Sequence, residues 1–141
     1  MKTIASLLIL WIITFSGFYA GAQTKPALKF GENGKLKIVQ FTDIHFQYNS
    51  YKSDSVLVLM KNAVADEKPG LVVLTGDVVC SDNTKQAWLA LTKVFVDAKV
   101  PWAVVLGNHD VEYELTNKQI ITTISSLPYC LAVNGPDNIS G

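Results

Sequence analysis

Three short apolar segments recur along the chain, and they constrain its fold more than any other feature. They cover residues 36–41, 71–75 and 102–106. The first alternates apolar and polar residues before it turns apolar, which is the pattern of a β-strand. The second is apolar up to its last residue, as is typical of a strand in a sheet that is covered on both faces. We therefore predict three β-strands.

Longer amphipathic segments follow the predicted strands. Their apolar residues recur at helical spacing, so we expect helices over about 54–67, 84–99 and 116–126. The candidate N-capping residues are Ser53 or Asp54 for the first helix and Ser81, Asp82 or Asn83 for the second. A β-α-β-α-β order with short connections implies parallel strands joined by right-handed crossovers. The sequence therefore predicts the α/β class.

The first 22 residues have the composition of a secretory signal peptide. A basic start precedes the apolar run 4–13, and small residues at 20–22 form the pattern of a cleavage site. The alternative is an uncleaved membrane anchor, because residues 4–22 carry no charge over nearly the length of a membrane span. We expect cleavage, export to the periplasm or the medium, and no membrane span in the mature chain. Residues 23–35 are polar and rich in Gly, Pro and Lys, and are predicted to be a lead-in.

The charge composition excludes one class of partner and constrains another. The chain has 12 basic and 12 acidic residues, and every basic residue is a lysine. A sequence-independent nucleic-acid-binding surface needs clustered cations, so none is expected here. Without arginine the chain has no bidentate clamp for phosphate. Any phosphate chemistry must therefore take its positive charge from another source.

Polar side chains that can bind metal follow each predicted strand directly. Asp43 and His45 follow the first strand, Asp77 the second, and Asn108 and His109 the third. Because ligands bind at the carboxyl ends of the strands in open parallel sheets, we expect these groups at one rim. Asp43 and His45 are two residues apart, which in an extended chain points both to the same side, and Asp77 has two oxygens that can bridge two ions. Oxygen and imidazole donors suit Zn, Mn or Fe.

The motifs around these residues resemble those of the calcineurin-like metallophosphoesterases, in particular the exported branch that is similar to purple acid phosphatases. The matching motifs are Asp43-Ile44-His45, Gly76-Asp77 and Gly107-Asn108-His109-Asp110, each after a predicted strand. The resemblance implies a four-layer α/β/β/α sandwich, of which this chain would form a β-α-β-α-β half. Residues 36–141 would then be the N-terminal part of a truncated phosphoesterase domain.

The resemblance also implies a role for each site residue. Asp43 and His45 would bind a first metal ion and Asn108 a second, with Asp77 bridging the two. His109 would lie beside the phosphate of a small phosphorylated substrate, where it stabilises charge or protonates the leaving oxygen. The implied activity is hydrolysis of a phosphoric monoester or diester, assisted by two divalent or mixed-valence ions of Fe, Mn or Zn.

Two departures from the family pattern affect this interpretation. Cys80 stands where purple acid phosphatases have a metal-binding tyrosine and related protein phosphatases an aspartate. The partner of His109 is therefore open, with Asp110 and Asp82 as candidates. The chain also has only two histidines and lacks the later histidine motifs of the family. We expect the N-terminal fragment of an enzyme, inactive by itself; the alternative is a degenerate, non-catalytic exported protein that binds a metal or a partner.

The two cysteines leave a further alternative open. In an oxidising compartment Cys80 and Cys130 can form one disulfide. Otherwise they are two unpaired small side chains that behave as buried apolar residues. An exported chain with only two cysteines is compatible with either state.

Overall fold

The structure is a computed structural model that describes residues 25–136. The predicted signal peptide at 1–22 lies outside the described residues. Within them, no helix is long and apolar enough to cross a membrane. Residues 25–37 contain neither a helix nor a strand, so regular structure begins after the predicted lead-in.

Three parallel strands form the sheet. They are β1 (Ile38–Phe41), β2 (Leu71–Thr75) and β3 (Trp102–Val105), and they are hydrogen-bonded in the order β1-β2-β3. The predicted α/β class and the parallel pairing are confirmed. β1 begins two residues later than the sequence pattern indicates, and β3 ends one residue earlier. Such differences arise because apolar periodicity does not mark the last backbone hydrogen bond of a strand.

The helices also form where the periodicity predicts them. They are α1 (Tyr51–Glu67), α2 (Thr84–Asp97) and α3 (Asn117–Ser125), with a 3-10 turn at His109–Val111. α3 begins with a capping box. The Thr116 hydroxyl accepts a hydrogen bond from the Gln119 backbone N–H, and the Gln119 side chain accepts one from the Thr116 backbone N–H. This reciprocal pair satisfies two N–H groups that the helix cannot satisfy itself.

The predicted N-caps of α1 are wrong. The helix begins three residues before Asp54, with Ser50 in the capping position and in an extended conformation. Ser53 lies in the first turn instead, where its buried hydroxyl accepts a hydrogen bond from the Gln47 backbone N–H at 3.0 Å. Ser53 therefore fastens the loop after β1 to the helix. For α2, the predicted candidates include the observed cap, Asn83.

The helices pack next to one another, with α1 contacting α2 and α2 contacting α3. Strands that follow each other in sequence order, joined by right-handed crossovers, place their connecting helices on the same side. The largest fully buried side chains are Trp88, Trp102, Phe46, Phe95 and Met60. Burying each large apolar side chain stabilises the fold by about 1.5–3 kcal/mol, so this one-sided core carries most of the stability.

The other face of the sheet is only partly covered. Ile38 on β1 and Val105 on β3 are 53% and 65% exposed, although both are large and apolar. Between them, the Gln40 side chain donates a hydrogen bond to the Thr75 hydroxyl at 2.8 Å. The apolar pattern that is typical of a doubly covered strand applies to β2 alone, whose residues are all buried or half-buried. A one-sided sheet is the arrangement of half of an α/β/β/α sandwich, as the resemblance implies.

The segment after α3 returns to the edge of the sheet. The Trp102 N–H donates to the Tyr129 carbonyl at 3.0 Å, and the Leu131 N–H donates to the Trp102 carbonyl at 2.8 Å. These bonds hold Cys130 in a parallel bridge with Trp102, with its side chain 2% exposed. Cys130 and Cys80 are both free thiols, so the unpaired alternative is the one observed.

Candidate metal centre

The loops after β1 and β2 run side by side at the carboxyl end of the sheet. The Asp43 N–H donates to the Gly76 carbonyl at 3.1 Å, and the His45 N–H donates to the Asp77 carbonyl at 2.9 Å. Beyond them, Phe46 and Val79 form a further parallel bridge. Backbone hydrogen bonds therefore fix the two loops relative to each other through the whole candidate site.

The side chains of Asp43, His45 and Asp77 meet at this rim. One donor atom from each lies within 4.8 Å of the donors of the other two. Asp43 and His45 are exposed and Asp77 is half-buried, so the cluster opens to solvent. The strand ends therefore bring Asp77 next to Asp43 and His45, as expected, although more than 30 residues separate it from them in the sequence.

The backbone conformation that brings them together was not predicted. Asp43, His45 and Asp77 have φ angles of 51°, 48° and 52°, all in the left-handed region. The extended conformation predicted for Asp43 and His45 from the sequence is therefore wrong. A left-handed residue other than glycine costs roughly 1–2 kcal/mol, and such strain collects at functional sites. The rest of the fold holds the three candidate ligands in this conformation.

Two glycines make room for Asp77. Gly76 has a φ of 91°, which lets the chain turn at the end of β2. At Gly107, an added Cβ would lie 2.6 Å from the Asp77 backbone nitrogen and would also collide with the Asp77 carboxylate. The glycine of the third motif therefore permits the backbone after β3 to approach Asp77 closely.

The loop after β3 contacts the cluster through Asp77. Asp77 Oδ1 accepts a hydrogen bond from the His109 backbone N–H at 3.0 Å, and its Oδ2 has no hydrogen-bond partner within residues 25–136. The rings of His45 and His109 lie 5.1 Å apart between centroids. Asn108 lies between Gly107 and His109, which both contact Asp77, and its side chain is exposed. All five predicted site residues therefore lie at one rim.

Asp110 fastens this rim from within. Its carboxylate is 1% exposed; Oδ1 accepts hydrogen bonds from the Val78 and Val79 N–H groups at 2.9 and 2.8 Å, and Oδ2 accepts one from the Gly107 N–H at 2.8 Å. Burial raises the pKa of the Asp110 carboxyl, and these backbone N–H groups oppose the shift. Because both oxygens are engaged with the backbone, Asp110 is not the partner of His109 that the sequence suggested.

The partner of His109 is Glu112. His109 Nδ1 lies 2.8 Å from Glu112 Oε1, at the distance of an ion pair although outside the alignment of a hydrogen bond. Contact with Glu112 raises the pKa of His109. Asp82, the other candidate, makes no contact with His109 among the described residues. The signal in the sequence was the spacing of three, which places side chains on one side of a 3-10 turn.

The chemistry of the donors fits one divalent ion of the first transition series. Asp43, His45 and Asp77 provide carboxylate oxygen and imidazole nitrogen, the ligands that Zn, Mn and Fe accept. A second ion would find the remaining oxygen of Asp77 and the amide oxygen of Asn108. Two donors are fewer than such ions require, so residues 25–136 hold the ligands of the first ion more completely than those of the second.

Comparison with known proteins identifies the family. Residues 36–138 match the model of the calcineurin-like phosphoesterases. The chain is 34% identical over 128 residues to "Probable inactive purple acid phosphatase 29" of Arabidopsis thaliana, covering 78% of this chain and 33% of that protein. It is 36% identical over 117 residues to "Phosphatase DCR2" of Saccharomyces cerevisiae, covering 71% of this chain and 20% of that protein. The chain thus spans a third or less of these relatives. It belongs to the calcineurin-like phosphoesterase family.

Proposed function

We propose that this chain carries the N-terminal part of the active site of a metal-dependent phosphoric ester hydrolase. The observation that supports the proposal most directly is the Asp43, His45 and Asp77 cluster at the carboxyl rim of the sheet. Three donors of matching chemistry, supplied by two loops that backbone hydrogen bonds hold together, form a preorganised site. Phosphomonoesters and phosphodiesters of small molecules are the proposed substrates.

In this proposal Asp43 and His45 hold one metal ion, Asp77 contacts both ions, and Asn108 contacts the second. Bound ions would supply the positive charge for the phosphoryl oxygens, which a chain without arginine cannot provide through guanidinium groups. The proposed centre is dinuclear, with Fe, Mn or Zn. Its second ion needs further donors from the family motifs that are absent from these 141 residues.

His109 is the proposed catalytic residue. Its Nδ1 faces Glu112, so Nε2 is the ring nitrogen left for the substrate phosphate or the leaving oxygen. Contact with the carboxylate favours the protonated ring, which can stabilise negative charge or donate a proton. The hydrogen bond from the His109 backbone to Asp77 keeps the ring next to the candidate ligands.

We also propose that residues 1–22 direct export and that residues 36–141 belong to a longer phosphoesterase domain. The matched relatives extend well beyond the aligned region, since the chain covers 33% of one and 20% of the other. A shortened mature chain, detected by mass spectrometry of protein recovered from the periplasm or medium, would support export. Recovery of intact chain in the membrane fraction would favour the uncleaved anchor.

A second candidate function is metal or partner binding without hydrolysis. It is favoured by the incomplete donor set of the second ion within residues 25–136. It is also favoured by the plant relative, whose name describes an inactive purple acid phosphatase. The yeast relative is named a phosphatase, so the family likeness is compatible with either function.

Metal binding and hydrolysis are tested separately. For the chain alone we expect weak Mn²⁺ binding by titration calorimetry and little hydrolysis of p-nitrophenyl phosphate with Mn, Zn or Fe. Asp77→Ala removes a shared ligand and should lower Mn²⁺ affinity by about tenfold or more, while Asp82→Ala, an exposed aspartate of the same loop, should leave it unchanged.

In a protein that also carries the later histidine motifs of the family, Asn108→Ala and His109→Ala should each abolish most turnover. Retention of full activity in either variant would refute the assigned roles. Metal binding that persists without turnover in such a protein would favour the second candidate function.

A further inference from the structure

A second group of potential ligands lies beside the first and shares no residue with it. Cys80, His109 and Glu112 each offer one donor atom, and these atoms lie within 4.8 Å of one another. Cys80 is half-buried, and its Sγ lies 3.5 Å from the hydroxyl of Tyr113. This combination of sulfur, nitrogen and oxygen donors differs in chemistry from the carboxylate and imidazole cluster.

We propose that Cys80, His109 and Glu112 form a separate binding site for a single zinc ion. Thiolate sulfur is a soft ligand that favours zinc over manganese or magnesium, and zinc also accepts imidazole nitrogen and carboxylate oxygen. The Cys80 thiol would lose its proton to solvent as the sulfur–zinc bond forms, so no oxidant or reductant takes part. Water or the Tyr113 hydroxyl would complete a tetrahedral set.

The backbone already fixes the segments that carry the three ligands. Asp110 accepts hydrogen bonds from Val79, which precedes Cys80, and from Gly107, in the loop that carries His109. The Cys80 N–H is held by the Phe46 carbonyl at 3.0 Å. The site is therefore preorganised by its backbone, and only side chains need to adjust.

The adjustment is small. Ligands around a tetrahedral zinc ion stand roughly 3.5 Å apart, given bond lengths of about 2.0–2.3 Å. From the observed limit of 4.8 Å, no pair of donors would need to close by more than about 1.3 Å. The side chains of His109 and Glu112 are 38% and 46% exposed, so they can rotate without disturbing the core.

This site has a consequence that rests on the proposed function. Zinc would tie the His109 ring to Cys80 and Glu112, so the ring would no longer be free to move towards the substrate phosphate. Zinc at Cys80 would therefore inhibit hydrolysis, whereas metal at the Asp43, His45 and Asp77 cluster would support it. The zinc site itself does not depend on whether the protein is an enzyme.

Cobalt provides a spectroscopic test, because Co²⁺ bound to a thiolate gives a charge-transfer band in the near ultraviolet. After treatment of the purified chain with a chelator, we expect this band on titration with Co²⁺ and its loss on addition of Zn²⁺. Cys80→Ser should abolish it. His109→Ala and Glu112→Ala should each weaken Co²⁺ binding by about tenfold or more, because they remove a ligand.

Two controls separate this site from its neighbours. Cys130→Ser removes the other thiol and should leave the band intact, as should His45→Ala, which removes a ligand only from the first cluster. Absence of the band in the unaltered chain would refute the zinc site. Loss of the band in His45→Ala would also refute it, because Cys80 would then serve the first cluster. Neither result requires an activity measurement, so failure of the proposed enzymatic function would be recognised independently.

Discussion

Replacement of Asp110 tests whether one buried carboxylate holds the rim together. Asp110→Ala removes the acceptor of three backbone N–H groups, those of Val78, Val79 and Gly107. Asp110→Asn is a finer change, because the amide oxygen can still accept from Val78 and Val79. Its NH₂ group, however, would face the Gly107 N–H, and two donors cannot form a hydrogen bond.

The size of each effect follows from these contacts. A buried donor that loses its partner costs about 1–3 kcal/mol. Asp110→Ala leaves three backbone N–H groups without an acceptor and should lower the free energy of unfolding by about 3 kcal/mol or more. Asp110→Asn leaves one N–H group, that of Gly107, without an acceptor, and it also removes a charge that burial disfavours. We therefore expect a smaller loss of about 1–2 kcal/mol for this variant.

Urea denaturation followed by circular dichroism measures both losses. Asp82→Asn is the matched control, because this aspartate is exposed in the same loop, and it should change the free energy of unfolding by less than about 0.5 kcal/mol. The reasoning would be refuted if Asp110→Ala behaved like the control. It would also be refuted if the asparagine variant were less stable than the alanine variant.

Three further changes test other contacts. Gly107→Ala should displace Asp77 and lower the Mn²⁺ affinity measured by calorimetry. Unchanged affinity would show that the loop after β3 can move away from Asp77. Thr116→Ala should lower the free energy of unfolding by about 0.5–2 kcal/mol through loss of the capping box, measured by urea denaturation. Burial raises the pKa of the Cys130 thiol and shields it from solvent, so iodoacetamide should label the more exposed Cys80 first; equal labelling would contradict the burial.

The sequence predicted the elements of the fold because their signals are local. Apolar runs and helical spacing located β2 and α2 to within two residues. The order of the elements then determined the sheet, since parallel crossovers of this length have one preferred hand. The meeting of Asp43 and Asp77 followed from that topology, without knowledge of any side-chain contact.

The backbone conformations and hydrogen bonds of the rim could not be predicted in the same way. Left-handed conformations at Asp43 and His45 carry no periodic signal, because they arise from how two loops are tied to each other. The same holds for Asp110, whose carboxylate oxygens accept hydrogen bonds from backbone N–H groups of two different loops. Glu112 directly follows the 3-10 turn His109–Val111, and its spacing of three from His109 is too weak a signal to single it out from the neighbouring carboxylates.

The left-handed conformation of Asp43, His45 and Asp77 creates a conflict between thermal stability and metal binding at these positions. Glycine adopts this conformation without steric cost, so a glycine there would relieve strain while deleting a ligand. Laboratory evolution towards heat resistance alone should therefore replace these positions, and His45 most readily, because its side chain is exposed and accepts no hydrogen bond from the described residues. If the variants are also selected for metal binding, the original side chains should return. Of the seven non-glycine residues with positive φ within 25–136, these three would therefore be set apart by their response to the two selections.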